Sequence, residues 1–569
     1  MEWSFANRWE WSVVNAARSS VSRLLLRAAT VVDGTGSEPY RADVTTTGMR
    51  ITEISAAGST VPDGADVVDA DGLVVAPGFI DAHSHADNAA FLPESDLSKI
   101  SQGVTTEVVG NCGFSLAPCP PHRRDEMRAL CGRIFPPLDF AWDAASELFE
   151  LTDRAGYTVN TVPLTGHSTL RTAAMGLDDR APTADELAQM TAGLRASLAA
   201  GSWGLSSGLI YPPGMFADAD ELAALAAVLP DHAVYATHMR AEGRQLLDSI
   251  DEAVTVARSA GTRLQVSHLK AAGRDAWGLL PAALDRLDEA RAQGLTVHHD
   301  VYPYLANSTM LSSCLPPWFQ QGGHDAVMGR LHDSAALARA EADIDHHDGS
   351  WENWIGNSGY HNVLVAATAT HREEGLRLDQ IAAARGVSAF EALVAILVEN
   401  ELSATMCVFA MHDDDVEAAL LGPGAMVGSD GLPPGTGGKP HPRLYGTFTR
   451  VLGHYVRDRS LLTLPEAVAM MTSRPASAFG LRDRGVLRRG AVADLVLFDP
   501  DTVSDRATFA EPHQLSAGIE LVVLAGRPSY ERGRFLGPRA GRRLRPESPS
   551  HRRSSSQPPH QLSDHGHHQ

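Results

Sequence analysis

Residues 73–85 read LVVAPGFIDAHSH: an apolar run and a Pro-Gly pair, then Phe79 and Ile80, then two histidines separated by one residue. Side chains two residues apart on a β-strand face the same side, so His83 and His85 are expected to project together from the end of a buried strand. Two such histidines by themselves are weak evidence for a metal site, because most histidines are solvated or hydrogen-bonded. The metal interpretation therefore depends on whether other strands end in similar donors.

Other strands do end in such donors. The segments that carry metal-binding side chains directly after an apolar run are DAHSH (His83, His85), VVGNCG (Cys112), YATHMR (His238), QVSHLK (His268) and VGSDG (Asp430). The carboxyl ends of the strands in a closed parallel barrel converge on one face, where active sites lie. A thiolate with imidazoles and a carboxylate favours zinc over magnesium or calcium. Six candidate ligands leave two arrangements open: one tight metal site with the remaining candidates not bound to metal, or two adjacent metal sites.

The central part of the chain alternates strand and helix. Strand candidates such as VTTEVVG, HAVYAT and TRLQVSH are separated by amphipathic helices such as ADELAALAAVL, and Thr183 with Glu186 fits a capping box. This alternation predicts an α/β fold, a TIM-like (β/α)8 barrel over residues 78–484. An open doubly wound sheet is the alternative, but no glycine-rich dinucleotide turn follows an early strand.

The flanking regions have a different pattern. Short β-like runs at residues 24–77 and 485–540 predict a small β-sandwich domain built from both ends of the chain. Residues about 305–362 interrupt the alternation and predict an inserted lid. Residues 1–23 are expected to be a loosely ordered extension, and residues 541–569, rich in Ser, Pro, Arg and His, a disordered tail.

Composition excludes some classes of partner. The chain has 569 residues and a formal net charge of -21, which argues against binding to nucleic acid or to an anionic membrane. We expect no membrane-spanning segment and no secretory signal, because no apolar run is long enough. The five cysteines have no paired spacing, which favours a cytoplasmic protein over a disulfide-linked one.

A series of motifs extends over about residues 24–540, in the order PGFIDAHSH, QGVTTEVVGNCGFSLAP, GLSSGLIYPPG, YATHMRAEG, VSHLKAAG, DVYPY, GSDGLP and HPRLYGTF. In this order they resemble the amidohydrolase superfamily, and within it the N-acyl-D-amino-acid deacylases, or D-aminoacylases. The resemblance implies a tightly held zinc ion with the ligands Cys112, His238 and His268. It also implies a second, weaker or variably occupied metal site with the ligands His83, His85 and Asp430.

The same resemblance implies roles for residues near the metal. Asp430 is expected to be the catalytic base, and Tyr211 to hydrogen-bond the scissile carbonyl. Lys270, Tyr302 and Arg443 are expected to hold the α-carboxylate of the substrate. The implied reaction is hydrolysis of a small-molecule N-acyl-D-amino acid to a free D-amino acid and a carboxylate. The residues alone do not specify the D stereochemistry, which depends on the resemblance.

One departure from the family bears on specificity. In STMLSSCLPP, Cys314 stands where family members selective for N-acyl-D-glutamate are expected to have an arginine, so neutral or hydrophobic side chains are predicted for the substrate. Two alternatives remain open. The first is a cyclic amidohydrolase of the hydantoinase or dihydropyrimidinase type, although no lysine ends a suitable barrel strand before His238. The second is an inactive binding scaffold.

Overall fold

The computed structural model describes residues 22–346 and 348–546. Most of the predicted N-terminal extension and the tail from residue 547 therefore lie outside the described residues. The strands are β1 (Arg23–Val31), β2 (Tyr40–Thr47), β3 (Arg50–Ala56), β4 (Asp66–Asp69), β5 (Val74–Pro77), β6 (Phe79–Asp81), β7 (Val104–Val109), β8 (Asn160–Pro163), β9 (Thr165–Gly166), β10 (Gly204–Gly208), β11 (Val234–His238), β12 (Arg263–Val266), β13 (Val297–Val301), β14 (Asn307–Met310), β15 (Val363–Thr368), β16 (Ala404–Val408), β17 (Ala425–Val427), β18 (Leu495–Phe498), β19 (Ile519–Leu524), β20 (Arg527–Glu531) and β21 (Arg534–Phe535).

The helices mostly lie between these strands. They are α1 (Arg124–Cys131), α2 (Ala145–Ala155), α3 (His167–Met175), α4 (Ala184–Ala200), α5 (Ala219–Ala226), α6 (Leu246–Ala260), α7 (Leu280–Ala292), α8 (Gly323–Leu331), α9 (Ser334–His346), α10 (Trp354–Ser358), α11 (Leu378–Arg385), α12 (Ala389–Glu399), α13 (Asp413–Leu421), α14 (Arg443–Arg450), a π-helix (Val451–Asp458), α15 (Leu464–Met471) and α16 (Ser473–Ala478). The predicted capping box is present, because Thr183 Oγ1 accepts from Glu186 N and the Glu186 carboxylate accepts from Thr183 N. The two hydrogen bonds satisfy backbone donors at the start of α4.

A barrel of parallel strands forms the centre of the molecule. One parallel sheet runs β6-β7-β8 and another runs β9-β10-β11-β12-β13-β17, and β8 continues into β9 after a one-residue break. The first and last strands also meet: Asp430 N donates to His83 O at 2.8 Å, and Ser84 and Gly431 form a parallel bridge. The predicted (β/α)8 barrel is therefore confirmed, with the ends of β6 and β17 side by side.

The β domain joins both ends of the described chain. Its single nine-stranded sheet has the order β21-β20-β19-β18-β5-β1-β2-β3, with β4 paired to β1. Alternate residues of β18 face opposite sides: Leu495 and Leu497 pack in the core of the β domain, whereas Val496 and Phe498 pack in the large barrel core. The sheet therefore has one face on the barrel and positions β6 directly after β5.

An insertion separates β13 from β17. Its strands form a small antiparallel sheet of order β14-β16-β15, and helices α8 to α12 belong to the same segment. The sheet extends past residue 362, the predicted end of the lid, because β16 pairs with both β14 and β15. Leu315, Trp354 and Met406 of the insertion belong to a second hydrophobic core, which the insertion shares with the segment after β7, including Phe114 and Trp142.

The segment that follows the β domain differs from its prediction. Residues 541–546 lie against the barrel instead of being disordered: Thr161 N donates to Arg542 O at 3.0 Å and Leu544 N donates to Thr161 O at 2.8 Å. Arg543 also pairs with Asp153 at 2.8 Å. An arginine-rich composition is typical of disorder, but here the free edge of β8 offers backbone partners and Asp153 offers a charge.

No single helix among the described residues is long and apolar enough to cross a membrane; α11 and α12, bent by 92° at their junction, satisfy the length and composition only as a pair.

Candidate metal centre and active site

The six predicted metal ligands meet at one end of the barrel. His83 and His85 follow β6, Cys112 follows β7, His238 ends β11, His268 follows β12 and Asp430 follows β17. All of them are buried. Because the strands are parallel, their carboxyl ends lie on the same face, so side chains from distant parts of the sequence converge there.

The Cys112 thiol lies between two groups of donors. Its Sγ is 3.3 Å from His83 Nε2 and 3.3 Å from His268 Nε2. On one side, Asp430 Oδ1 is 3.2 Å from His85 Nε2 and 3.6 Å from His83 Nε2. On the other side, the ring centroids of His238 and His268 are 4.4 Å apart. Groups of at least three donor atoms therefore lie on both sides of the sulfur, His83 with His85 and Asp430 on one side and His238 with Glu242 and His268 on the other.

The residues fit a metal ion. Both ring nitrogens of His238 and Nδ1 of His85 are buried without a hydrogen-bond partner among the described residues. Buried polar atoms are nearly always satisfied, so such atoms indicate a missing ligand. A set of one thiol, four imidazoles and a carboxylate is typical of zinc.

The electrostatics of the cluster favour the ligand forms of two of these side chains, Cys112 and His238. Burial alone raises the pKa of Cys112, but the neighbouring His83 and His268 outweigh it and hold the pKa of the thiol well below its ordinary value. Burial lowers the pKa of His238. A thiolate and a neutral imidazole are the forms that bind metal.

Three of the ligands have an unusual backbone conformation. Cys112, His268 and Asp430 have φ of 53°, 36° and 47°, in the left-handed region that residues other than glycine seldom adopt. Such a conformation costs roughly 1–3 kcal/mol and persists only where the surrounding structure enforces it. Here hydrogen bonds enforce it, including His268 N to Asp300 Oδ1 at 2.8 Å.

Two buried carboxylates that the sequence analysis missed orient the histidines. Asp300, at the end of β13, has Oδ1 at 3.3 Å from His83 Nδ1. Glu242 Oε1 is 3.1 Å from His268 Nδ1 and accepts a hydrogen bond from Lys270 Nζ at 2.5 Å. A carboxylate behind a metal-binding histidine fixes its ring and tautomer. The sequence feature that could have identified Glu242 is its position four residues after the predicted ligand His238.

The predicted substrate-binding residues surround the same centre. Arg443 Nη1 lies 2.9 Å from Asp430 Oδ2. The ring of Tyr302 lies between two cations, with its centroid 4.6 Å from Arg443 Cζ and 5.6 Å from Lys270 Nζ. The hydroxyl of Tyr302 is buried and has no partner among the described residues. Lys270 and Tyr302 line the cavity, whereas Arg443 is fully buried against the ring of Tyr302 and is not among the described residues that line it.

Tyr211 is also at the centre. Its hydroxyl accepts a hydrogen bond from Thr309 Oγ1 at 2.8 Å, which leaves its own proton free to donate. The ring centroid of Tyr211 is 5.0 Å from that of His238. Burial raises the pKa of the phenol well above its ordinary value, so it stays a donor.

The cavity at the metal centre has a largely apolar outer wall, which includes Phe114, Ile134, Met310, Trp354 and Leu432. Cys314 is not among the described residues that line it, and its thiol instead packs 3.4 Å from Met406 Sδ. Cys314, the residue expected to influence substrate specificity, therefore lies behind the residues that line the cavity. Trp354 belongs to the segment WENW, which precedes the part of the insertion that forms β15.

Comparisons with known proteins agree with this geometry. A model of the amidohydrolase family matches residues 66–530. The chain is 37% identical to a D-aminoacylase from Alcaligenes xylosoxydans xylosoxydans over 535 residues, which cover 92% of this chain and 97% of the relative. It is 38% identical to an N-acyl-D-glutamate deacylase from the same organism over 524 residues, which cover 90% of this chain and 96% of the relative.

Solved structures give the same result. The crystal structure of N-acyl-D-glutamate deacylase from Bordetella bronchiseptica, complexed with zinc and a phosphonate that mimics the tetrahedral intermediate, has a TM-score of 0.77 and 36% identity, and covers 93% of this chain and 100% of the other. A D-aminoacylase with a binuclear metal centre, activated by one metal and attenuated by a second, has a TM-score of 0.76 and 34% identity, with coverage of 92% and 99%.

Proposed function

Because this chain belongs to the amidohydrolase family, we propose that it is a zinc-dependent hydrolase that releases a D-amino acid and a carboxylate from an N-acyl-D-amino acid. The observation that carries the proposal is the convergence of the Cys112 thiol, four histidines and Asp430 beside the cationic groups Arg443 and Lys270. The relatives that act on N-acyl-D-amino acids share more than a third of its residues over nearly its whole length.

The donors divide into two sets in the proposed enzyme. Cys112, His238 and His268 would hold a tightly bound zinc ion, and His83, His85 and Asp430 would hold a second, weaker one. When bound, zinc supplies Lewis acidity that lowers the pKa of a water molecule to about 7 and polarises a carbonyl. The Cys112 Sγ is 3.3 Å from His268 of the first set and 3.3 Å from His83 of the second, so the thiol lies between the two sets.

Asp430 is the proposed general base. Its Oδ2 pairs with Arg443, so Oδ1, which faces His83 and His85, is the atom that would take the proton of the attacking water. Burial raises the pKa of Asp430, but the charge of Arg443 outweighs it and holds that pKa well below its ordinary value. The group is therefore ionised, which is the form that a general base needs to accept a proton and pass it to the departing amine.

Tyr211 is the proposed donor to the scissile carbonyl. Thr309 already occupies a lone pair of the phenol oxygen, so the phenol proton is directed away from Thr309. One donor of this kind is typically worth about 3 kcal/mol of transition-state stabilisation. Arg443, Lys270 and the unpartnered hydroxyl of Tyr302 would hold the α-carboxylate by charge-assisted hydrogen bonds.

The substrate side chain is proposed to be neutral or hydrophobic. The wall formed by Phe114, Met310 and Trp354 is apolar. Lys270 is the cation among the described lining residues, and its ammonium is paired with Glu242. An acidic side chain would therefore lose its hydration without gaining a free cation. The D preference rests on the likeness to the relatives. The five unpaired, buried cysteines support our further proposal of a cytoplasmic protein.

Product analysis tests the proposed function. Purified protein reconstituted with zinc is incubated with N-acetyl-D-methionine, N-acetyl-D-glutamate and 5-substituted hydantoins, and the products are identified by mass spectrometry. We expect free D-methionine and acetate, with N-acetyl-D-glutamate turned over more slowly. Turnover of hydantoins alone would indicate a cyclic amidohydrolase, and no turnover by zinc-loaded protein would indicate a binding scaffold.

A further inference from the structure

A lysine lies buried beneath the metal centre. Lys99 is about 1% exposed, and its Nζ donates to Asp81 Oδ2 at 2.6 Å and contacts Ser429 Oγ. Asp81 ends the first barrel strand, and Ser429 follows the last one and directly precedes Asp430. The ammonium therefore lies at the junction that closes the barrel, and Lys99 is not among the described residues that line the cavity.

Asp81 and Ser429 form a closed set of hydrogen bonds at this junction. Ser429 N donates to Asp81 Oδ1 at 2.7 Å, and Ser429 Oγ donates to Asp81 Oδ2 at 2.6 Å. Gly431 N, on the other side of Asp430, donates to Ser429 Oγ at 3.0 Å. Ser429 is thus bonded directly to the Asp81 carboxylate, and Gly431 is linked to it through the Ser429 hydroxyl. Lys99 neutralises the charge of Asp81.

Asp430 needs such support because of its backbone conformation. Its φ of 47° is in the left-handed region, which a residue with a side chain holds only when its surroundings enforce it. Without Ser429 Oγ, the backbone N–H of Gly431 would lose its partner. Without Lys99, Asp81 would be a buried carboxylate lacking its cation.

Lysine is rare in this chain, which makes its use here informative. Three of the 48 basic residues are lysines, namely Lys99, Lys270 and Lys439; the others are arginines. A Cβ built on Gly431 would lie 3.0 Å from Lys99 Nζ, so the space around the ammonium is small. A compact ammonium can occupy such a space, whereas a planar guanidinium needs more room.

We propose that Lys99 is a positioning residue for the hydrolysis: through Asp81 and Ser429 it holds Asp430 with Oδ1 directed at the metal ligands. This inference rests on the proposed function, since it takes Asp430 as the base. Lys99 does not touch substrate or metal; it acts on the geometry of the residue that does.

The variant Ser429→Ala tests the proposal with little change in volume. A misplacement of about 1 Å in a reacting group can reduce the rate roughly a hundredfold, so we expect kcat to fall about tenfold to a hundredfold. KM for N-acetyl-D-methionine should stay within about twofold of native, and the tight zinc ion should remain at about one per chain, because its proposed ligands Cys112, His238 and His268 do not contact the Ser429 hydroxyl. Amide hydrogen exchange at residues 429–431 should become faster.

Lys99→Met is the second variant, and Lys439→Met, which removes a lysine outside this network, is its matched control. We expect Lys99→Met to lose kcat while retaining zinc, and Lys439→Met to keep native kinetics. Native kcat and native exchange in Ser429→Ala, or native kcat in folded Lys99→Met, would overturn the proposal. If Lys99→Met does not fold, Ser429→Ala decides.

The proposed function can fail separately from this proposal. If the native protein releases no D-methionine, the assignment of the substrate is wrong. The hydrogen-exchange comparison of native protein with Ser429→Ala then still tests whether the network holds Asp430, because it requires no turnover. Unchanged exchange at residues 429–431 would overturn the positioning role in that case as well.

Discussion

Arg443 and Asp430 form a buried ion pair, with Nη1 of the guanidinium 2.9 Å from Oδ2 of the carboxylate. The guanidinium is fully buried and also donates from Nη2 to Ser308 O at 3.1 Å. The pair divides the two oxygens of Asp430 between two tasks. Oδ2 is held by Arg443, and Oδ1 faces the histidines that follow β6. One arginine therefore lies next to both the proposed base and the proposed carboxylate site.

Replacing the base should stop the reaction without emptying the tight metal site. In Asp430→Asn we expect kcat to fall roughly a thousandfold or more, since general base catalysis typically contributes about 10²–10⁴-fold. Metal analysis of the same sample should still find about one zinc ion per chain, held by Cys112, His238 and His268. A kcat close to native in this variant would refute the base role.

Removing Arg443 should chiefly weaken capture of the α-carboxylate. A hydrogen bond to a charged group is worth about 1.5–3 kcal/mol, so Arg443→Ala should lower kcat/KM for N-acetyl-D-methionine by roughly ten- to a hundredfold. The loss should be smaller for N-acetyl-D-methioninamide, which lacks the carboxylate. Steady-state kinetics on both compounds measure the difference, and equal losses would mean that Arg443 acts only through Asp430.

Glu242 should contribute to metal affinity although the sequence analysis did not single it out. A carboxylate partner of a metal-binding histidine is typically worth about 10–100-fold in affinity, so Glu242→Gln should lose zinc to a chelator at a correspondingly lower concentration. Glu252→Gln is the matched control, because Glu252 pairs with Arg240 on the outside of the barrel. Identical zinc affinity in Glu242→Gln and Glu252→Gln would contradict the role.

Glu352 should make stability depend on pH. This insertion carboxylate accepts from Glu242 N at 2.7 Å and Gly243 N at 2.9 Å, and burial raises its pKa from 4.5 to about 7. The folded state therefore binds a proton that the unfolded state releases above pH 4.5. Stability should fall as pH rises from about 4.5 to 7, by up to about 3 kcal/mol.

Denaturant unfolding of native protein and Glu352→Gln at pH 5 and pH 8 measures this contribution. The amide cannot ionise, so the variant should gain stability relative to native protein between the two pH values. If the unfolding free energies of native protein and Glu352→Gln differed by the same amount at pH 5 and at pH 8, the Glu352 carboxylate would not be responsible for the pH dependence.

The sequence was sufficient to predict the barrel and to place the six candidate metal ligands at strand ends, because both depend on local patterns. An apolar run followed by His, Cys or Asp indicates a strand and its end, and parallel closure brings the ends together. The supporting carboxylates were harder to predict: Glu242 and Asp300 are two of 69 acidic residues, and only the folded chain puts them behind histidines. The left-handed backbone of Cys112 likewise depends on tertiary contacts.

Composition was a poor guide at the edges of the fold. The insertion continues past its predicted end because β15 and β16 complete an antiparallel sheet, and such long-range pairing leaves no local signal at residue 362. Residues 541–546 have the composition of a disordered tail, yet Arg543 pairs with Asp153 and the backbone pairs with the edge of β8.

The central claim is that this metal centre hydrolyses N-acyl-D-amino acids. The most direct test is a paired assay of N-acetyl-D-methionine and N-acetyl-L-methionine, with zinc determined on the same sample before and after chelation. We predict release of D-methionine but not of L-methionine, in proportion to bound zinc and lost on chelation. Full turnover by zinc-free protein, or release of L-methionine alone, would contradict the account.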